Sequence, residues 1–226
     1  MPPERAPPRS PLWPRTTRIY LVRHAESVAN AGAYFAGQSD APLSERGRRQ
    51  AEALGQAFAR VPLDALYASD LERARDTAAA IVRGRLLDVV PERGLRERDM
   101  GELSGVSFDE VRERSPELWQ KILARDPYAA PPGGESHAEL AERVRRTLGA
   151  IVPRHRGQAI ALVAHGGTIA HAARLLLGVD DFALPFWVAA DNASVTRVDH
   201  VEPAEGVLLP RLAYANRVAA AEGDAF

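Results

Sequence analysis

Two short apolar runs in this chain end the same way. "RIYLVRHA" (18–25) and "QAIALVAHGG" (158–167) each stop at a histidine followed by small residues. Neither is long enough for a typical helix, and neither has a 3–4 spacing of apolar positions. Each therefore reads as a strand buried on both faces, the kind that sits inside a parallel sheet. Such a strand needs helices above and below it, and the sequence supplies them. "LSERGRRQAEALGQAFARV" places Ala51, Leu54, Phe58 and Val61 on one face behind Ser44 as N-cap. "SHAELAERVRRTLGAIV" has the capping-box spacing Ser136…Glu139 and a stripe of Leu140, Val144, Leu148 and Ile151. "HGGTIAHAARLLLG" runs from glycines into an apolar helix that stops at Gly178. Two further strands are expected at Leu63–Ala68 and in "RLLDVVP", the first turning into a helix capped by Ser69 or Asp70. "SVTRVDHV" and "GVLLPRLAYAN" read as a closing strand pair. The alternation predicts an α/β fold, a three-layer α/β/α sandwich around a mostly parallel sheet.

The 226 residues suffice for one substantial core. The expected boundaries are a proline-rich arm over 1–17, one domain over 18–216 and a tail over 217–226. Residues 101–135, rich in proline, form a less regular insertion of the kind that becomes a lid. A formal net charge of −1 gives no support for nucleic-acid or membrane-surface binding. The absence of cysteine excludes disulfides, thiolate metal sites and cysteine nucleophiles. No apolar run approaches the roughly 20 residues that span a bilayer, and the N-terminus lacks the apolar core of a secretory signal. A cytoplasmic protein is expected. A homodimer is compatible with the sequence, which does not fix the oligomeric state.

In open α/β sheets, ligands bind beyond the carboxyl ends of the strands. His24, Ser69 and His165 all stand at expected strand ends, with Arg23 beside the first and Arg73 in the helix after the second. Two imidazoles with two guanidiniums suit a metal poorly, because arginine repels cations. They suit a phosphoryl group well, since guanidinium forks match phosphate oxygens and helix N-termini add oriented N–H groups. A carboxylic acid from "GLRERDMGE" would complete such a site by protonating a leaving oxygen. Taken singly, these residues are ordinary: a histidine at a strand end is usually structural. Arginine is also abundant, at 28 of the 29 basic residues, with Lys121 the only lysine.

Seven ordered blocks turn the bland reading around. "LVRHAESVAN", "GQSDAPLSERG", "YASDLERARDTA", "LRERDMGELSG", "PPGGES", "LVAHGG" and "NASVT" occur in that order between Leu21 and Thr196, within a resemblance that covers about Arg18 to Asn216. Together they resemble the histidine phosphatase superfamily, in its phosphoglycerate-mutase-like branch. The resemblance implies that His24 is the nucleophile and forms a phosphohistidine, with Glu97 as general acid and then base. It implies that Arg23, Arg73 and His165 hold the phosphoryl oxygens, with no metal or organic cofactor. Asn30, Tyr34, Gly37, Gln38 and Gly166 are the substrate-binding candidates, and a small phosphorylated metabolite is the expected partner. Glu92 and Glu102 lie close enough to Glu97 to compete with it for that role.

The sequence departs from the mutases at Tyr34, where many carry an arginine, at Ala36 in place of glutamine, and at Asp76. It also lacks their longer basic insertion after the catalytic glutamate. These departures weaken the case for a second anionic group on the substrate and favour phosphatase over mutase. Among the remaining histidines, His171 reads as structural, and His137, His155 and His200 read as solvated. Trp119 and Tyr128 read as packing residues of the insertion, with a pocket-lining role as the alternative.

Overall fold

The computed structural model describes residues 15–179, 181, 187–204 and 206–219. Six strands and seven α-helices alternate within them in the order β1 (Arg15–Arg23), α1 (Val28–Ala31), α2 (Glu45–Phe58), β2 (Ala65–Ala68), α3 (Glu72–Val82) and β3 (Val89–Pro91). They continue as α4 (Phe108–Arg114), α5 (Pro116–Leu123), α6 (His137–Ile151), β4 (Ala159–Ala164), α7 (Gly166–Leu176), β5 (Ser194–Glu202) and β6 (Leu209–Val218). All six strands form one sheet in the order β3-β2-β4-β1-β5-β6. The first four run parallel, and β5 and β6 are antiparallel to their neighbours.

Side-chain alternation explains why β1 and β4 read as continuous apolar runs. Tyr20, Val22, Ala161 and Val163 face a core shared with Leu54 and Phe58 of α2 and Ile81 of α3. Ile19, Leu21, Ile160 and Leu162 face the opposite core with Leu140, Val144 and Leu148 of α6 and Ile169 of α7. Both faces are covered, so both sets of alternate residues must be apolar. Truncating a fully buried ring such as Phe58 to alanine costs about 3–5 kcal/mol by the usual cavity penalty.

Several boundaries differ from the expected ones. Arg15, Thr16 and Thr17 pair with Glu202, Val201 and His200 in β1, so the strand begins inside the span expected for the arm. The arm up to residue 14 and the tail from 220 lie outside the described residues. β3 is shorter than "RLLDVVP", because Leu86 is fully exposed and only Val89–Pro91 pair with β2. Neither Ser69 nor Asp70 caps α3; its N-cap is Leu71, without a side-chain hydrogen bond. The insertion holds two helices, α4 and α5, and is tied to the 33–36 loop by Phe35 N–H to Val106 carbonyl at 3.0 Å and Gly105 N–H to Phe35 carbonyl at 2.7 Å.

Candidate active site

The β1–β4 register brings the two histidines together. Arg23 pairs with Ala164, and the next backbone amide, His24 N–H, donates to Ala164 carbonyl at 2.9 Å. The ring centroids of His24 and His165 are 4.9 Å apart. On the other side of β4, Ser69 N–H donates to Val163 carbonyl at 2.9 Å. Three parallel strand ends thus deliver Ser69, His165 and His24 side by side. A cavity of about 540 Å³ opens beyond them.

Each imidazole has one hydrogen-bond partner that bears on where its proton sits. His24 Nδ1 lies 2.7 Å from Ala25 carbonyl, which only accepts, so Nδ1 carries the hydrogen and Nε2 keeps its lone pair. Burial pushes the His24 pKa well below that of an ordinary imidazole, and Arg73 and Arg23 push it further. The ring is therefore neutral at neutral pH. His165 is fully buried, and its Nε2 lies 2.9 Å from Ser69 Oγ. Ser69 Oγ also accepts from Leu71 N–H at 3.3 Å, and with its hydroxyl donating to Nε2 the His165 proton sits on Nδ1. That Nδ1 is buried and among the described residues has no hydrogen-bond partner, and the same holds for Arg23 Nε. Unpaired buried donors are costly, and two of them beside one neutral imidazole mark an anion's place.

Arg73 is 1% exposed and is anchored by loop carbonyls, donating to Gly37 at 2.8 Å and Ser39 at 2.9 Å. Gly37 has φ +51°, and a Cβ there would meet Ser104 Oγ at 2.9 Å, so the anchoring loop needs glycine. Arg23 is fixed by donating to Ala190 carbonyl at 2.5 Å.

Glu97 lines the cavity, whereas Glu92 and Glu102 do not. Glu92 instead accepts from Gly94 N–H at 2.8 Å, and Glu102 is exposed. The Glu97 carboxylate accepts from Gly167 N–H at 3.1 Å and Arg98 N–H at 2.9 Å. Its backbone carbonyl accepts from Arg143 Nη2 at 3.0 Å and Gln38 Nε2 at 3.2 Å. Gln38 thus sits behind Glu97, and it does not line the cavity as a substrate-binding residue would. Asn30, Tyr34, Gly37 and Gly166 do line it.

The sequence reading missed three participants. Asn192 donates to His24 carbonyl at 3.2 Å and to Asn30 Oδ1 at 3.1 Å, tying the His24 backbone to the end of α1. Gly167, not only Gly166, touches the site, since a Cβ on it would lie 2.5 Å from Glu97 Oε1. His137 is buried, not solvated; it lines the cavity, and its Nδ1 lies 3.1 Å from Nε2 of His171. His200 is also buried, its Nε2 donating to Leu176 carbonyl at 2.9 Å, while His155 hydrogen-bonds Tyr67 Oη. In the insertion, Trp119 packs on Phe108 at 6.2 Å, and Tyr128 is exposed and outside the cavity.

The family model described as Histidine phosphatase superfamily (branch 1) matches residues 19–209. Phosphoserine phosphatase 1 of Hydrogenobacter thermophilus is 37% identical over 193 residues, covering 85% of this chain and 90% of that protein. A Cronobacter sakazakii protein named Probable phosphoglycerate mutase GpmB is 35% identical over 184 residues, covering 81% of this chain and 85% of its own. Among solved structures, the mycobacterial glucosyl-3-phosphoglycerate phosphatase in complex with VO3 superposes with a TM-score of 0.75 at 30% identity, over 88% of this chain and 98% of that one.

Proposed function

From the premise that this chain belongs to branch 1 of the histidine phosphatase superfamily, and is a phosphoric monoester hydrolase, we propose that it hydrolyses a small phosphorylated metabolite through a phosphohistidine on His24. The observation that carries this reading is the neutral His24, its Nε2 lone pair uncommitted, beside the unpaired donors Arg23 Nε–H and His165 Nδ1–H.

In the first step, Nε2 of His24 forms a bond to phosphorus while the ester P–O bond breaks, and Glu97 delivers its proton to the leaving oxygen. Arg23, His165 and the N–H groups of Arg73 not committed to Gly37 and Ser39 donate to the equatorial oxygens, where charge accumulates. In the second step, the Glu97 carboxylate takes a proton from water, whose oxygen attacks phosphorus. The P–N bond breaks, phosphate departs, and His24 returns to its neutral state. The arginines supply the positive charge that other phosphatases draw from metals, and the reading has the enzyme working in the cytoplasm without a metal.

The test is turnover of p-nitrophenyl phosphate by purified protein in the presence of a chelator, with acid-labile phosphoenzyme trapped by rapid quenching. Wild-type protein turns over and labels; His24→Ala does neither. Full activity in that variant overturns the mechanism. The relative named as a mutase supports a second reading, transfer of the phosphoryl group back to an isomeric hydroxyl. That reading requires stimulation by a bisphosphate primer and an isomerised product, and the short segment between Glu97 and Gly105 favours hydrolysis.

A further inference from the structure

The cavity holds more positive charge than a phosphoryl group uses. Among the described residues four guanidiniums line it, Arg23, Arg73, Arg98 and Arg125, against two carboxylates, Glu97 and Asp191. They divide into two sets. Arg23 and Arg73 act on the two histidines at the strand ends, whereas Arg98 and Arg125 act on His137 and His171.

Among the described residues no ion pair accounts for the second set. Arg98 is 7% exposed, yet among the described residues its guanidinium makes no hydrogen bond or ion pair. Its nearest carboxylates act only through space: Glu97, held by Gly167, and Glu135, held by Arg143 at 2.7–2.8 Å. A buried guanidinium without a partner is expensive. Arg125 is exposed and has no ion pair among the described residues, and its guanidinium lies 3.6 Å from the centroid of the Trp187 ring. Its backbone adds a second argument. Arg125 follows α5 and the C-cap Ala124 with φ +53°, the left-handed position that glycine normally fills. Backbone preference therefore works against arginine there, and a role for its side chain offsets that.

We infer that Arg98 and Arg125, the latter on the Trp187 ring as a platform, bind a second oxyanion carried by the leaving group of the substrate. Phe35, Met100 and Phe108 line the cavity as well and suit a short apolar or neutral spacer between the two charged ends. Planar guanidinium forks match the paired oxygens of a carboxylate or a phosphate. The loss of an arginine at Tyr34 thus removes one anion contact without making the substrate a simple monoanionic ester. The inference rests on the phosphatase reading of the His24 site and refines its substrate class.

The experiment measures kcat/KM for a series of phosphomonoesters with spacers of two to four carbons. Each spacer ends in a carboxylate, in the matching primary amide, or in a second phosphate. The wild-type protein is expected to favour at least one anionic series over the amide by tenfold or more, and the larger preference identifies the oxyanion. In Arg98→Met and in Arg125→Gly, the latter chosen because its backbone prefers glycine, the preference falls toward unity. Wild-type turnover without a twofold preference for either anion overturns the inference alone. A preference that survives undiminished in both variants also overturns it. Failure of wild-type protein to hydrolyse any member of the series overturns the phosphatase reading itself.

Discussion

Glu97 is the residue whose task depends most on how it is held. Its side chain accepts two backbone N–H groups, and its own carbonyl accepts Arg143 and Gln38, so both ends of the residue are pinned. Such a carboxyl can protonate a leaving oxygen without first searching for it. Glu97→Gln keeps the shape and removes the proton donor. Its cost should therefore depend on how much help the leaving group needs. For an alkyl phosphate the expected loss in kcat is roughly 10²–10⁴-fold, the usual range for general acid catalysis. For p-nitrophenyl phosphate, whose phenolate leaves readily, the loss in phosphoenzyme formation should be at least tenfold smaller. Single-turnover kinetics on both esters check this, and equal losses would remove Glu97 from the acid role.

At the scale of elements, the N-terminus of α7 is built around the same carboxylate. Gly167 N–H reaches Glu97, and a Cβ on Gly167 would lie 2.5 Å from Oε1 and 3.3 Å from Leu140 Cδ2. The first of these is the end of a side chain and can move; the move displaces Glu97. Alanine also suits a helix better than glycine by up to about 1 kcal/mol. Gly167→Ala should therefore leave the melting temperature unchanged or raised while kcat falls by about 10²-fold, the order expected when a catalytic group shifts by an ångström. Calorimetry and turnover on the same sample separate the two effects, and a drop in both would show that the glycine serves packing alone.

The elements most legible in the sequence were those whose pattern is local. β1 and β4 announce themselves because both faces are covered, and α6 because its stripe and its Ser136–Glu139 capping box lie within one stretch. What stayed hidden depends on distant partners. Ser69 and Asp70 look like caps, but Ser69 is taken by His165 and Asp70 by Arg96, which donates to it at 2.6 and 2.7 Å. Arg96 lies 26 positions away, and no spacing rule reaches that far. His137 looks solvated at a helix start, yet it is buried against His171 and Trp187, 34 and 50 positions further along the chain. The short apolar "RLLDVV" overstated β3, because an edge strand with one neighbour does not need to be covered.

Across the whole molecule, burying so many neutral imidazoles ties stability to pH. His24 and His165 are held well below the ordinary histidine pKa by burial and then by Arg73. Burial lowers His137 to about 3 and His171 to about 4, with Arg98 adding to the first and Arg174 to the second. In the unfolded chain all four titrate near 6.5. Above that value neither state binds the proton, and these groups leave stability unchanged. Below it the unfolded chain takes up protons that the native site refuses, so stability falls with pH, by about 1.4 kcal/mol per pH unit for each histidine. Between pH 6.5 and 4.5 His137 and His171 each remove roughly 2–3 kcal/mol, together about 5 and a large part of the stability of a typical domain, and His24 and His165 act in the same direction. The ion-paired carboxylates do not blur this window. Asp70, lowered chiefly by its hydrogen bonds from Arg96, gives up its contribution only as pH falls below its unfolded value of 3.8. Urea unfolding followed by circular dichroism should therefore show the midpoint dropping steadily from pH 6.5 and acid unfolding complete before pH 4. A His171→Asn variant should show a shallower slope by about one proton. Stability that stays level between pH 6.5 and 5 would mean that the imidazoles are charged in the native state, and that His24 lacks the lone pair its chemistry requires.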